Sequence, residues 1–160
     1  MKILAPNLYK IILTNKNMRT SSRNLYIIKG SERSLMIDTS WNVPECLSEM
    51  EQALNELSID CRDLDIFVTH NHVDHSGYVS FFTDRGARAF MNPVEIAASS
   101  DRYHRFYEDN DMRRSYTSEV GVTKERTPDA WQEIKTGADQ LARDNNVNFD
   151  FPFTPIAPGD

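Results

Sequence analysis

Apolar residues in this chain come in short runs, and the spacing within each run predicts its element. LYKIIL (Leu8–Leu13) is short, apolar and partly β-branched, which predicts a strand. NLYIIKGSERSLMIDTS holds two apolar runs, Leu25–Ile28 and Leu35–Ile37, around the polar KGSER. That pattern predicts a hairpin, with Gly30 free to take a positive φ in the turn. The period changes in NVPECLSEMEQALNELSI, where Cys46, Leu47, Met50, Ala53, Leu54 and Leu57 fall on one helical stripe. Pro44 sits where a first-turn proline is tolerated. LDIFVTH is a continuous apolar run that predicts a buried strand delivering the chain to His70. SGYVSFFTDRG predicts a short helix ended by Gly86, and ARAFMNP a further buried strand. Over residues 25–92 the order is strand, strand, helix, strand, loop, helix, strand, which predicts an α/β arrangement with helices layered on a sheet.

From about Val94 to Asp144 the character shifts to polar, charged and aromatic. TPDAWQEIKTGADQLARD offers Thr127 as N-cap, Pro128 at the first helical position, and a stripe of Ala130, Trp131, Ile134, Ala138, Leu141 and Ala142. Residues 94–144 are therefore expected to form a helical insertion within one domain spanning 1–160. The tail NFDFPFTPIAPGD alternates apolar and polar residues. There is no internal repeat and no low-complexity segment.

Charge narrows the function classes. With 18 Lys+Arg against 24 Asp+Glu, the formal net charge is -6. That balance argues against broad binding to nucleic acid or anionic membranes, both of which favour basic surfaces. DMRRSY is only a small basic patch. The hydrophobic share of 39% is low for a self-sufficient globular domain. Two cysteines, Cys46 and Cys61, do not make a disulfide framework, and Cys46 falls on the apolar side of its helix. The start MKILAPNLYKIILTNKN shows no secretory pattern and no apolar run approaches the length of a membrane span, so a cytoplasmic location without a membrane is expected.

The chemistry concentrates in THNHVDHSG, Thr69–Gly77, which holds three of the chain's four histidines and an aspartate. In a locally extended segment, side chains two apart point the same way, so His70 and His72 can converge on one ion. Asp74 and His75 are adjacent and can aim elsewhere as the loop turns into a helix, which suggests two ions side by side. Imidazole and carboxylate without thiolate suit zinc, iron, manganese or nickel. Zinc is the first choice for hydrolytic work. Two metals about 3.5–4 Å apart can share a hydroxide and steady both the attacking and the leaving oxygen.

HNHVDH matches the HxHxDH signature of the metallo-β-lactamase superfamily. LMIDTS resembles the hairpin strand ending in Asp ahead of the first helix, and LDIFVTHNHVDHSGYVSFF resembles the strand, metal loop and helix that follow. The similarity is specific over about residues 20–95, loose over the insertion and suggestive again at PIAPGD. It implies an αββα sandwich. It implies that His70 and His72 bind a first metal, and that Asp74 and His75 bind a second. Asp74 would also orient the nucleophile or move a proton. Asp38 would steady the metal loop by hydrogen bonds from behind the ligands, as a carboxylate does for a ligating histidine; its structural alternative is a strand-end cap.

The family completes its site with later residues: a third histidine for the first metal, an aspartate bridging both, and a late histidine for the second. This chain has no histidine after His104, and His104 lies in the charged, aromatic DRYHRFYED. The expectation is therefore the N-terminal half of a longer metallohydrolase, incomplete as a 160-residue chain, which self-associates through the sheet face its other half would cover. The parent activity implied is hydrolysis of a small ester, thioester, lactone or lactam through a metal-bound hydroxide. Tyr103, Phe106, Tyr107 and Trp131 are candidates to line its pocket or to be core. Two alternatives stand beside it: an iron-dependent oxidoreductase resembling persulfide dioxygenases, and a non-catalytic metal-binding half-domain. A flavo-diiron protein fits less well, because that branch has Glu where this chain has His72.

Overall fold

A computed structural model describes residues 1–14, 22–100, 125–130, 132, 153–156 and 159. The chain divides into two compact units, residues 1–97 with 147–160, and residues 98–146. In the second unit, residues 128–130 and 132 are helical, directly after Thr127. Tyr103, His104, Phe106, Tyr107 and Trp131, and most of the expected 94–144 insertion, lie outside the described residues.

The first unit is built on a seven-stranded mixed sheet in sequential order. Its strands are β1 (Lys2–Ala5), β2 (Leu8–Thr14), β3 (Ser22–Ile28), β4 (Ser34–Ile37), β5 (Leu64–Val68), β6 (Arg88–Met91) and β7 (Phe153–Pro155). β1 to β4 pair antiparallel. β4 to β7 pair parallel. The switch follows from the connections: β4 reaches β5 through helix α1 (Pro44–Glu56), as a parallel crossover requires. Helices α2 (Val73–Ser76), α3 (Val79–Thr83) and α4 (Pro93–Ser100) follow. Pro155 sits on an edge strand, where a missing N–H leaves no gap in a ladder.

One face of the sheet is closed. Alternate residues Ile11, Leu13, Leu25, Ile27, Met36, Leu64, Ile66, Val68, Ala89 and Met91 point to it and are buried. They meet the α1 stripe Cys46, Met50, Ala53 and Leu54, and Val79 and Phe82 of α3. Each fully buried Leu, Ile or Phe here contributes about 1.5–3 kcal/mol. The α1 stripe and the burial of Cys46 agree with the spacing read from the sequence, and Pro44 opens the helix. Lys29 Nζ donates to the Leu57 carbonyl oxygen at 2.6 Å, covering an orphan acceptor at the helix end.

The opposite face is partly open: among its described residues Ile12 and Ile28 are exposed, whereas Tyr26, Ile37, Phe67 and Phe90 are half-buried. Tyr26, Ile37, Phe67 and Phe90 stand in one cross-strand row on that side. This corrects the reading of LDIFVTH as buried throughout: Leu64, Ile66 and Val68 are buried, whereas Asp65 and Phe67 are only half-buried.

Three further expectations change. β1 has no counterpart in the apolar runs, because all four of its residues are exposed. The helix after the metal loop is two short helices, and the first starts inside the motif at Val73. Gly30 does not have a positive φ; among the described glycines only Gly86 and Gly159 do. Gly30 is needed because a Cβ there would collide with the Arg33 carbonyl oxygen. That close turn aims Arg33 at β5, where its guanidinium donates to Asp65 Oδ1 at 2.9 Å and to the Leu64 carbonyl at 2.9 Å. Arg88 holds the other side of Asp65 through two bonds of 2.7 and 2.6 Å. Burial alone would raise the Asp65 pKa, but these two arginines pull it below the usual carboxylate value.

Candidate metal centre

Parallel strands in register end at the same level. Ile37 pairs with Phe67, and Val68 pairs with Met91. The chain therefore leaves β4, β5 and β6 on one edge, carrying Asp38, Thr69–His72 and the Asn92–Glu95 turn to one place. Such an edge is where open parallel sheets build sites. β3 runs the other way, so its start lies at the same edge and brings Arg23 there.

Asp38 is the hub. It is nearly buried, at 12% side-chain exposure. Its φ of 63° turns the chain sharply out of β4, a conformation aspartate tolerates better than most residues. Its carboxylate accepts from the Thr69 backbone N–H at 2.7 Å and from Thr69 Oγ1 at 2.9 Å. It also lies 2.8 Å from His75 Nδ1. An ionised carboxylate can only accept, so this contact places the His75 proton on Nδ1 and leaves the Nε2 lone pair free. The same logic reaches His70. Thr69 gives its single hydroxyl proton to Asp38, so its oxygen accepts from His70 Nδ1 at 3.1 Å. One carboxylate thus sets the tautomer of two histidines.

The rest of the loop is held from both sides. Glu95, in the first turn of α4, accepts from the Asn71 backbone N–H at 2.9 Å, between His70 and His72. Thr39 Oγ1 donates to the His75 carbonyl oxygen at 3.0 Å and its backbone N–H reaches the same oxygen at 2.7 Å. Gly77 lies so close to the Ser40 carbonyl that a Cβ would collide with it.

The imidazoles form one group. The ring centroids of His70 and His72 are 4.6 Å apart, and those of His70 and His75 are 4.0 Å apart. His75 Nε2 faces Asp74 Oδ2 at 3.6 Å. Burial lowers the His70 pKa, and the neighbouring His75 and His72 lower it further. That shift favours the neutral His70 ring, the form that donates a lone pair.

Asp74 has a partner that the sequence did not announce. Arg23 Nε lies 2.6 Å from Asp74 Oδ2, and Nη2 lies 2.5 Å from the same atom. The guanidinium also stands over the Trp41 ring, 5.1 Å from its centroid. Burial would raise the Asp74 pKa, but the Arg23 hydrogen bond and the neighbouring His75 hold it below the usual value.

Among the described residues, no group of three or more His, Cys, Asp or Glu side chains already surrounds one point. The donors nevertheless suit a divalent ion in kind: His70, His72 and His75 are neighbours, and the Asp74 carboxylate lies beside His75. Arg23 stands on the Asp74 carboxylate. Arg23, Trp41 and Glu95 were not found in the sequence. Glu95 carried only the weak signal of an acidic residue following an Asn-Pro helix start.

No described helix is long and apolar enough to cross a membrane. No family model matches the sequence, and no curated protein matches it. Solved structures do. A metallo-β-lactamase family protein from Thermus thermophilus is 23% identical, with a TM-score of 0.65 over 99% of this chain and 48% of its own. A β-lactamase domain protein from Burkholderia ambifaria is 16% identical, with a TM-score of 0.66 over 98% of this chain and 44% of its own. A metallo-β-lactamase from Hirschia baltica is 18% identical, with a TM-score of 0.50 over 63% of this chain and 46% of its own. This chain spans about half the length of the structures it matches. With its mixed sheet, its helices and its histidine loop at the end of β5, the chain has the metallo-β-lactamase fold over the N-terminal part of those proteins.

Proposed function

We propose that the chain is the first metal-ligating block of a metal-dependent hydrolase acting on a small ester, thioester, lactone or lactam. The observation that carries this is the Asp38 hub: one buried carboxylate anchors His75 directly and His70 through Thr69, each at Nδ1, so that both rings keep Nε2 for a ligand, His75 with its Nε2 facing Asp74. A purely structural histidine cluster would have no need of two lone pairs directed away from their anchor. The fold shared with metallo-β-lactamases supports the superfamily-level reading.

In this reading His70 and His72 hold one ion, and Asp74 and His75 hold a second. A divalent ion there supplies Lewis acidity, making water a nucleophile at neutral pH and polarising a carbonyl. Zinc is the first choice, and iron or manganese suit the same donors. Asp74 orients the attacking water or accepts its proton. Asp38 and Thr69 keep the rings in place through the reaction, and Glu95 keeps the loop between them from shifting. Further donors are expected from outside this half of the fold, and the activity belongs to the assembled site.

The test is elemental mass spectrometry on the full-length protein, with His72→Ala and Asp74→Ala as controls and a panel of ester, thioester, lactone and lactam substrates. The expected result is about two divalent ions per chain, depleted in both controls, and hydrolysis lost with them. Metal content near zero in the unmodified protein, or hydrolysis that survives both substitutions, would overturn the proposal.

A further inference from the structure

We propose that Arg23 is a resident cation of this site: it is the counterion of Asp74 and competes with any ion that takes Asp74 as ligand. This deepens the metal reading above and rests on it.

Three observations carry it. First, both Nε and Nη2 of Arg23 converge on one oxygen of Asp74, at 2.6 and 2.5 Å, on the side chain whose Oδ2 also faces His75 Nε2. The guanidinium therefore occupies the direction an ion shared by Asp74 and His75 would need. Second, Asp74 is only 13% exposed whereas Arg23 is 42% exposed. A nearly buried carboxylate without a countercharge is unfavourable, and Arg23 supplies that charge from the solvent side, where it has room to leave. Third, Trp41 offers the guanidinium a face at 5.1 Å. An arginine held by a ring on one side and a carboxylate on the other has a defined resting place.

No comparable cation stands on the other imidazoles among the described residues. His70 Nδ1 contacts Thr69, and the ring's neighbours are His72 and His75. The two ion positions are thus unequal. An ion bound by His70 and His72 meets no resident charge, whereas an ion bound by Asp74 and His75 competes with Arg23. Loading is sequential, and the second step weakens because an existing charge-assisted pair has to break.

The experiment is a zinc titration of the full-length protein by calorimetry, comparing the unmodified protein with Arg23→Met and Arg23→Lys. Methionine keeps an apolar contact to Trp41 and removes the charge, and lysine keeps the charge and removes the fork. A Trp131→Phe background, with any tryptophan outside residues 1–160 also replaced by Phe, lets Trp41 emission report on Arg23 independently. The expected result is an unchanged tight step and a weaker step strengthened roughly tenfold or more in Arg23→Met, the range of one charge-assisted hydrogen bond. Arg23→Lys should fall between. Trp41 emission should change at the second equivalent of zinc in the Trp131→Phe protein and not when Arg23→Met is added. An unchanged or weakened second step in Arg23→Met would make Arg23 a brace for Asp74 and overturn the proposal. Zinc uptake in no variant would instead overturn the metal reading on which it rests, so the two failures are distinguishable.

Discussion

Replacing Asp38 separates its role in folding from its role in aiming histidines. In Asp38→Ala, the Thr69 backbone N–H loses its 2.7 Å acceptor inside the site. The bond is only part-buried, so leaving its donor unpaired costs about 1–2 kcal/mol, the lower part of the range for buried groups. The Thr69 hydroxyl can rotate and His75, at 23% side-chain exposure, can turn toward water, so these two contribute less. Alanine at a φ of 63° adds about 1 kcal/mol of backbone strain. The sum for Asp38→Ala is about 2–3 kcal/mol. Asp38→Asn keeps an oxygen for the Thr69 N–H and tolerates the left-handed backbone, so its loss should be only about 1–2 kcal/mol. Its amide group, however, donates where the carboxylate accepted. Facing His75, it forces Nδ1 to accept and moves the ring proton to Nε2, which closes the lone pair beside Asp74. The assays are urea unfolding at constant slope for both variants, and nitrogen NMR of the metal-free protein for the His75 tautomer. Equal destabilisation by Ala and Asn, or a His75 proton that stays on Nδ1 in Asp38→Asn, would refute the reasoning.

Other consequences can be measured in the same preparations. Glu95→Gln should keep an acceptor for the Asn71 N–H and leave stability within about 0.5 kcal/mol, whereas Glu95→Ala should speed amide exchange at Asn71; equal exchange in both would remove Glu95 from the loop's support. Asp65 has a lowered folded pKa, so its contribution is present above the unfolded carboxylate value of about 3.9 and is lost as pH falls through the folded value. Asp65→Asn should therefore destabilise at pH 7 by about 1 kcal/mol, discounted because Arg88 is 54% exposed, and the gap to the unmodified protein should close in strong acid; a gap independent of pH would show that charge is not involved. The partly open sheet face carrying Ile12 and Ile28 should drive self-association of the 160-residue chain, and Ile12→Lys should shift sedimentation toward the monomer; a monodisperse unmodified chain would contradict this.

The sequence was most legible where burial is one-sided and local. The α1 stripe and the β3–β4 hairpin show their periods directly, because each buries a continuous face. β1 was missed because its four exposed residues give no alternation to read. The run LDIFV looked buried throughout because Phe67 is apolar, yet it points to the partly open face. Gly30 was assigned to a turn correctly but for the wrong physical reason: crowding against Arg33, not a left-handed backbone, demands glycine there. Within the site, the histidines announced themselves by density. Their supports did not. Arg23 lies 51 positions before Asp74, and Glu95 lies 24 positions after Asn71, so each contact exists only because the sheet brings three strand ends and one strand start to a common edge.

That common edge also has a consequence for biosynthesis. Every group described in the site, from Arg23 on β3 to Glu95 on α4, is encoded in one uninterrupted stretch, and β7 is added later at the outer edge of the sheet. A chain emerging from the ribosome can form the hairpin, pass through α1, lay β5 and β6 alongside in order, and so complete the Asp38 hub before residues beyond α4 have been synthesised. The histidines would then meet their anchors, and Asp74 its arginine, while translation continues. Arg23 would act during that interval as a counterion for a carboxylate in a nascent site, keeping it paired from the moment β3 and the histidine loop meet.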